Sequence, residues 1–190
     1  MELTTQQNKV FEQIKTFLNS DASVFILGGY AGTGKTTMVK VIANYIRQSR
    51  QVALMAPTGR AARVISSKTG YEATTIHRAI YTKAHFEPKK VKDIAESEFK
   101  FMFPIQQSEN EGNIVAIVDE ASMLCSRKIE HELFKFGTDN LMDDLLTYIR
   151  PNFGGKVIFV GDPAQLPPVG ESVSNALRAE FFQKKGLKVV

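Results

Sequence analysis

Hydrophobic residues fall along this chain in two alternating patterns. Short, nearly continuous apolar runs read VFILG at 24–28, VALMA at 52–56, IVAIV at 114–118 and KVIFV at 156–160. Such runs are typical of parallel strands that are covered on both faces. Apolar positions at helical spacing predict amphipathic helices over 5–19, 36–47 and 60–69. The alternation predicts an α/β fold, a parallel sheet with helices on both faces.

The second half of the chain predicts two further helices. RKIEHELFKF has helical character over 127–136, directly after Cys125 and Ser126. DNLMDDLLTYI predicts a helix over 139–149, which Pro151 ends because proline cannot continue a helix.

The segment 84–113 interrupts this alternation. Phenylalanines alternate at 99, 101 and 103, and Pro104 and a polar run that ends at Gly112 and Asn113 follow them. We interpret the segment as a small inserted subdomain with a hairpin, the alternative being a surface loop with one edge strand. The predicted organisation is one α/β domain, formed by 1–83 and 114–190, that carries this insertion.

Composition narrows the class of protein. A length of 190 residues suits one domain with a small insertion. No apolar run approaches the roughly 20 residues that cross a bilayer, and the N-terminus lacks the pattern of a secretory signal. The lone Cys125 cannot form an internal disulfide, so we expect a cytoplasmic protein. The net charge of +4 permits binding to a polyanion without requiring it.

The stretch GGYAGTGKTT at 28–37 has the spacing of a phosphate-binding P-loop and lies between a predicted strand and a predicted helix. Glycines let backbone N–H groups turn toward a triphosphate, and the helix N-terminus adds its positive dipole end. We expect Lys35 to reach the β- and γ-phosphates and Thr36 to bind Mg²⁺. The predicted nucleotide contacts are Gly29, Ala31, Gly32, Thr33, Gly34, Lys35, Thr36 and Thr37. The alternative is a glycine-rich turn before a helix that happens to begin with a lysine.

The apolar run 114–118 ends in two acids, Asp119 and Glu120. Acids at the carboxyl end of a parallel strand lie where α/β sheets bind ligands. We expect Asp119 to hold Mg²⁺ and Glu120 to take a proton from attacking water. The alternative is that one of them only caps a following helix.

The run 156–160 is followed by GDPAQLPPV at 161–169. Its prolines predict a stiff loop that presents Asp162 and Gln165. A glutamine here can bond a γ-phosphate or orient water, whereas a proline-rich turn with incidental polar residues explains the stretch equally well.

Taken together, GGYAGTGKTT, APTGRAA at 56–62, TIHR at 75–78, IVDEASM at 117–123 and GDPAQLPPV resemble a known family. It is the N-terminal RecA-like motor domain of superfamily 1 DNA helicases, in the RecD-like and phage Dda-like branch. The resemblance implies ATP-dependent 5′–3′ unwinding in DNA recombination or repair, with ATP, Mg²⁺ and single-stranded DNA as ligands. A P-loop small-molecule kinase and a non-catalytic nucleic-acid-binding module are the rival interpretations.

The resemblance assigns roles to individual residues. It makes Lys35, Glu120 and Gln165 catalytic, and it places Gln7 against the adenine, although Thr4 and Gln7 also fit a helix capping box. The implied contacts to single-stranded DNA are Pro57, Thr58, Gly59, Arg60, Thr75 and His77.

The resemblance also implies that the insertion carries a pin hairpin that separates the DNA strands. DNA bases would then stack on Phe86, Phe99, Phe101 or Phe103 of that hairpin. The buried face of a strand is the simpler explanation of those phenylalanines. The family uses a second RecA-like domain, whose arginines reach the γ-phosphate, and we expect it to be absent from these 190 residues. We therefore expect the 190 residues alone to bind ATP, to turn it over below about 1 per second and not to unwind DNA. We also expect them to be monomeric.

Overall fold

The computed structural model describes residues 3–83, 85–88, 99–106, 114–150 and 153–190. Side chains at 85–88 and 99–100 are outside this description. The elements in chain order are α1 (Thr5–Leu18), β1 (Val24–Gly28), α2 (Lys35–Ile46), β2 (Gln51–Ala56), α3 (Gly59–Thr69), β3 (Ala73–Thr75), α4 (Ile76–Ile80), β4 (His85–Pro88), β5 (Phe99–Phe103), β6 (Ile114–Val118), β7 (Phe134–Phe136), α5 (Leu141–Ile149), β8 (Lys156–Gly161) and α6 (Ala179–Gln183). Short 3₁₀ helices lie at Ala121–Met123 and Asn175–Leu177.

The central sheet is parallel, as the apolar runs predict. In the described residues its strand order is β1-β8-β6-β2-β3, and every neighbouring pair is parallel. All four predicted strands are present, and β3 is a fifth that three residues are too few to reveal by pattern. Because the strands are parallel, the loops after β1, β2, β6 and β8 leave from one edge of the sheet.

Helices cover both faces of this sheet, which confirms the predicted fold class. One face carries α1, α2 and α3, whose Ile14, Phe17, Ile42 and Ile65 are buried against it. The opposite core contains residues from α4, α5 and α6, such as Ile76, Leu145 and Phe182. Burial of each such side chain contributes about 1.5–3 kcal/mol, so the two cores hold the sheet from both sides.

The free edge of β1 is paired with the last residues described. Val24 forms a parallel bridge with Val189. The N–H of Val190 donates to the Val24 carbonyl at 2.9 Å, and the N–H of Ile26 donates to the Val190 carbonyl at 3.0 Å. The strand that leads into the P-loop is therefore hydrogen-bonded along both edges.

A second, smaller sheet has the order β4-β5-β7. Strand β4 is antiparallel to β5, as a hairpin requires, and β5 is parallel to β7. The helix predicted over 127–136 is wrong, because residues 134–136 form β7 and 127–133 are not helical. The rings explain this pairing: Phe103 and Phe136 stack with centroids 4.5 Å apart, and Phe101 and Phe134 stack at 5.8 Å.

Part of the predicted insertion falls outside the described residues. Residues 89–98, which join β4 to β5 in the chain, residues 107–113 and the side chains of Phe86 and Phe99 belong to that part. The pin therefore stays a prediction. The division of the chain into an inserted subdomain over 84–113 and one α/β domain over 1–83 and 114–190 also stays a prediction. Within the part of the chain described here, every helix is too short or too polar to cross a bilayer.

Candidate nucleotide-binding site

Three loops meet at the carboxyl edge of the central sheet. Gly28 pairs with Gly161, and Phe159 pairs with Val118, so β8 lies between β1 and β6. The loops that follow these strands carry the P-loop, GDPAQLPPV and the acidic pair. One cavity of about 600 Å³ is lined by Ala31, Gly32, Gly34, Lys35, Thr36, Thr37, Lys40, Lys68, Glu120 and Gln165. The structure therefore brings together most of the predicted nucleotide residues.

The P-loop has the backbone that its glycines predict. Gly32 and Gly34 have φ values of 80° and 84°, in the left-handed region that favours glycine. A Cβ atom on Gly29 would lie 2.8 Å from the hydroxyl of Thr33, so a side chain there would crowd the loop. Gly34 is the residue before α2, and no side-chain hydrogen bond caps that helix in the described structure. The first N–H groups of α2 are thus available to an anion.

Lys35 extends back across the loop that precedes it. Its Nζ donates to the carbonyl oxygens of Gly29 at 2.6 Å and Tyr30 at 3.0 Å. The same Nζ lies 4.0 Å from a carboxylate oxygen of the buried Asp162. The ammonium group is held inside the loop, where a bound phosphate would replace neutral carbonyls with full negative charge.

The two acids at the end of β6 have different surroundings. Asp119 is buried, and its N–H donates to the Met55 carbonyl at 3.0 Å. Burial raises the pKa of Asp119 above 3.8, against the lowering effects of a backbone hydrogen bond from Glu120 and the charges of Lys35 and Lys68. Glu120 is half-buried and lines the cavity with a φ of 53°, a conformation that non-glycine residues rarely adopt.

Gln165 is fixed to the segment that follows the acidic pair. The hydroxyl of Ser122 donates to Gln165 Oε1 at 2.6 Å. Before it, the N–H of Ala164 donates to Asp162 Oδ1 at 2.9 Å, which tightens the turn. Sequence reasoning selected Gln165 but missed Ser122, which lies inside the quoted IVDEASM stretch.

A second contact ties the end of this loop to the same segment, and we call it the Glu171 clasp. Glu171 accepts hydrogen bonds from the Ser126 N–H at 2.6 Å, the Ser126 hydroxyl at 3.0 Å and the Cys125 thiol at 3.0 Å. Asn175 Nδ2 donates to the Ser126 hydroxyl at 2.8 Å and, at 3.4 Å, to Glu171. No pattern in the sequence marked Glu171.

Gln7 forms the predicted capping box. Its N–H donates to the Thr4 hydroxyl at 3.2 Å, and its Oε1 accepts from the Thr4 N–H at 3.0 Å. The side-chain amide nitrogen lies against Gly34, where a Cβ atom would approach it to 2.6 Å. Gln7 also lines a second cavity of about 570 Å³ with Tyr30, Lys35 and Pro163 among others. The adenine contact stays a prediction, and the cap does not exclude it, because the cap uses the carbonyl oxygen.

The predicted DNA contacts lie side by side at the same edge of the sheet. Ala56 pairs with Thr75, so residues 57–58, which lead into α3, adjoin the start of α4. The Thr58 hydroxyl accepts from the Ala61 N–H and the Thr75 hydroxyl accepts from the Arg78 N–H, each at 3.2 Å. Both threonines are therefore helix caps, and Pro57, Gly59 and Arg60 adjoin Thr58. Their DNA role stays a prediction.

His77 projects from α4 toward aromatic neighbours. Its ring centroid lies 5.6 Å from that of Tyr81 and 5.3 Å from that of Phe136. Burial of the ring lowers the pKa of His77 below 6.5, and His131 lowers it further, whereas Asp144 raises it. The lowered pKa favours the neutral imidazole, so a contact to DNA would use its hydrogen-bonding groups or its face rather than a charge.

Comparisons with known proteins agree with this geometry. A family profile described as an AAA domain matches residues 2–180. The ATP-dependent RecD2 DNA helicase of Deinococcus radiodurans is 30% identical over 174 residues, which are 88% of this chain and 18% of that protein. The ATP-dependent DNA helicase dda of Enterobacteria phage T4 is 28% identical over 193 residues, which are 97% of this chain and 37% of that protein. The chain thus spans well under half the length of either relative.

A solved structure has a similar fold. The crystal structure of Bacteroides sp Pif1 in complex with ADP-AlF4 is 26% identical, with a TM-score of 0.51. The alignment covers 90% of this chain and 34% of that one.

Proposed function

Since this chain belongs to the AAA domain family, we propose that it is the ATP- and single-stranded-DNA-binding motor domain of a 5′–3′ DNA helicase. The family match and the two named helicases confirm the resemblance to a RecD-like and Dda-like superfamily 1 motor domain. Because the chain spans only 18% and 37% of those two helicases, the unwinding activity belongs to the proposal.

One observation carries the proposal. The P-loop, the uncapped start of α2, Glu120 and Gln165 all border the same cavity. A triphosphate held by Lys35 and the α2 N–H groups would have its terminal phosphate among the remaining polar side chains of that cavity. In this proposal Glu120 would take a proton from water, and Gln165, whose Oε1 accepts a hydrogen bond from Ser122, would position that water. These are the roles that the sequence assigned to the two residues.

The residues present fit a magnesium ion. Thr36 and Asp119 offer a hydroxyl and a carboxylate oxygen, and hard cations prefer oxygen ligands. No cluster of three histidine, cysteine or carboxylate side chains that could hold a metal occurs among the described residues. Mg²⁺ fits such a sparse set because it usually binds one or two carboxylates together with substrate phosphates and water. When bound, the ion would neutralise charge on the phosphates.

Single-stranded DNA would cross the edge formed by β2 and β3. The start of α3 and the start of α4 both face this edge with helix N-termini. Thr58, Thr75 and the exposed Arg60 supply hydroxyls and a positive charge, which suit a phosphate backbone. This track adjoins the nucleotide cavity because Glu120, which lines the cavity, follows β6, the strand paired with β2. Nucleotide and DNA would thus bind at the carboxyl ends of neighbouring strands, β6 and β2.

The small sheet would form the inserted subdomain. We propose that 84–113 folds with β7, since Phe134 and Phe136 stack on β5. Phe101 and Phe134 are 39% and 41% exposed, so part of this stack is open to bases, while Phe103 is half-buried. The role in recombination or repair, a cytoplasmic location and a monomeric state complete the proposal.

Calorimetric titration of the 190-residue chain with Mg²⁺ and AMP-PNP tests the nucleotide site. We expect binding by the wild type and at least a tenfold loss in Lys35→Ala, which removes the phosphate-binding ammonium. Lys184→Ala is the matched control, because Lys184 is exposed beside α6 on the opposite face of the sheet. The control should bind as the wild type does.

Two results would contradict the proposal. No nucleotide binding by the wild type, together with nucleic-acid binding that is unchanged in Lys35→Ala, would favour a non-catalytic nucleic-acid-binding module. Transfer of phosphate from ATP to a small-molecule acceptor, with no binding to oligothymidine, would favour a kinase. We expect oligothymidine binding that weakens in Arg60→Ala and falls with added salt.

A further inference from the structure

Lys68 lies outside all five motif stretches but borders the nucleotide cavity. It belongs to the last turn of α3, a helix that packs beside α2. Through this packing its side chain lines the same cavity as Lys35, Glu120 and Gln165. A lysine from a different helix therefore shares the space in which the P-loop would hold a triphosphate.

The residues that line the cavity with Lys68 indicate which part of the nucleotide site it borders. The second cavity, lined by Gln7, Tyr30 and Pro163, does not include Lys68. The cavity that Lys68 does border is also lined by Glu120 and Gln165. Lys68 is thus on the side of the acidic pair, which is the side where a terminal phosphate would lie.

The backbone of Lys68 is well anchored although its ammonium group is exposed. The next residue, Thr69, is buried, and its hydroxyl donates to the Ile65 carbonyl at 2.8 Å. Gly70 ends the helix with a φ of 78° and donates its N–H to the Ser66 carbonyl. A long, flexible side chain on a fixed helix end can reach a ligand without moving the backbone.

We infer that Lys68 binds the terminal phosphate of the nucleotide and so helps the site to distinguish a triphosphate from a diphosphate. This inference rests on the proposed function, since it needs a triphosphate in the cavity. Three lysines line the cavity, namely Lys35, Lys40 and Lys68. Lys35 is the P-loop lysine and Lys40 belongs to the same helix, α2, whereas Lys68 reaches the cavity from the neighbouring helix α3. The simpler alternative is that Lys68 only complements the dipole at the end of α3.

The test compares AMP-PNP with ADP, each with Mg²⁺, by calorimetric titration of the 190-residue chain. In Lys68→Ala we expect the Kd for AMP-PNP to rise about tenfold, the effect of losing one charge-assisted hydrogen bond, and the Kd for ADP to change less than about twofold. Lys68→Arg should retain most of the discrimination because it keeps the charge. Lys184→Ala, which removes an exposed lysine elsewhere, should leave both values unchanged.

The other outcomes are distinguishable. If the wild type binds both nucleotides and Lys68→Ala leaves the ratio of the two Kd values unchanged, the inference is overturned and the proposed function stands. If Lys68→Ala instead weakens only oligothymidine binding, Lys68 contacts DNA phosphates and the inference is also overturned. If the wild type binds neither nucleotide, the proposed function fails and takes the inference with it.

Discussion

Replacing Glu171 with alanine should loosen the loop that carries Gln165. The Glu171 clasp joins this loop to Ser126, 45 residues earlier in the chain. Its carboxylate accepts two hydrogen bonds from Ser126, at 2.6 and 3.0 Å, and weaker ones from Cys125 and Asn175. Alanine removes the shared acceptor for all of them.

The size of the effect follows from these contacts. A hydrogen bond to a charged group contributes about 1.5–3 kcal/mol when it is shielded from water. Glu171 and Ser126 are half-buried, so water can replace part of what is lost. We expect Glu171→Ala to lower the free energy of unfolding by about 2–3 kcal/mol. Glu171→Gln should cost about 1 kcal/mol, because its amide oxygen can still accept from the Ser126 N–H.

Urea unfolding followed by circular dichroism measures this change. For a slope of about 2 kcal/mol per molar, the midpoint of Glu171→Ala should fall by about 1 M. Glu132→Ala, at an exposed position just before β7, is the control. Its free energy of unfolding should stay within about 0.5 kcal/mol of the wild-type value. Combining Glu171→Ala with Ser126→Ala should be clearly less than additive. A loss below about 0.5 kcal/mol in Glu171→Ala, or strict additivity, would refute the clasp.

Three further substitutions test other parts of the structure. Gly34→Ala places a Cβ atom 2.6 Å from the side-chain amide nitrogen of Gln7, at a φ of 84° that disfavours any side chain. Calorimetric titration should therefore find Mg²⁺–AMP-PNP binding weakened more than about tenfold. Gly59→Ala is the control and should retain binding, because the space around its Cβ is open. Tyr81→Phe deletes the hydroxyl that donates a hydrogen bond to the fully buried Asp144 at 2.6 Å. Urea unfolding should show that the free energy of unfolding falls by about 1.5–3 kcal/mol. An unchanged urea midpoint would contradict a stabilising role for this hydrogen bond. The pKa of His77 is lowered below 6.5 in the folded state, so the unfolded chain binds more protons between the two values and stability should fall as the pH drops through this window. Thermal unfolding of His77→Gln should lose part of this pH dependence, and an identical profile would contradict it.

The central sheet and its chemistry could be predicted because each depends on local sequence. Buried parallel strands need continuous apolar runs, and the P-loop needs glycines at fixed positions, so both leave a pattern within a few residues. The order of the strands could not be predicted, yet it brings Gln165 beside Glu120. The capping box of Gln7 was one of two readings, and only the folded helix shows that it forms.

Contacts between distant residues left no such pattern. Ser122 and Gln165 are 43 residues apart, and neither predicts the other. The helix prediction for residues 127–136 was wrong for the same reason. Their apolar positions fit helical spacing, but Phe134 and Phe136 are stabilised more by stacking on Phe101 and Phe103 of β5. Tertiary pairing here outweighs a weak local preference for helix.

The pairing of β1 along both edges also limits where the P-loop can move. The Ile26 amide is hydrogen-bonded to Val190 on one side of the strand, and β8 holds the other side as far as Gly28. We therefore expect the Ile26 amide to exchange with deuterium as slowly as the core strands do, and protection to fall abruptly after Gly29. Opening and closing of the nucleotide loop would then pivot on the two glycines at the strand end, with the sheet itself rigid.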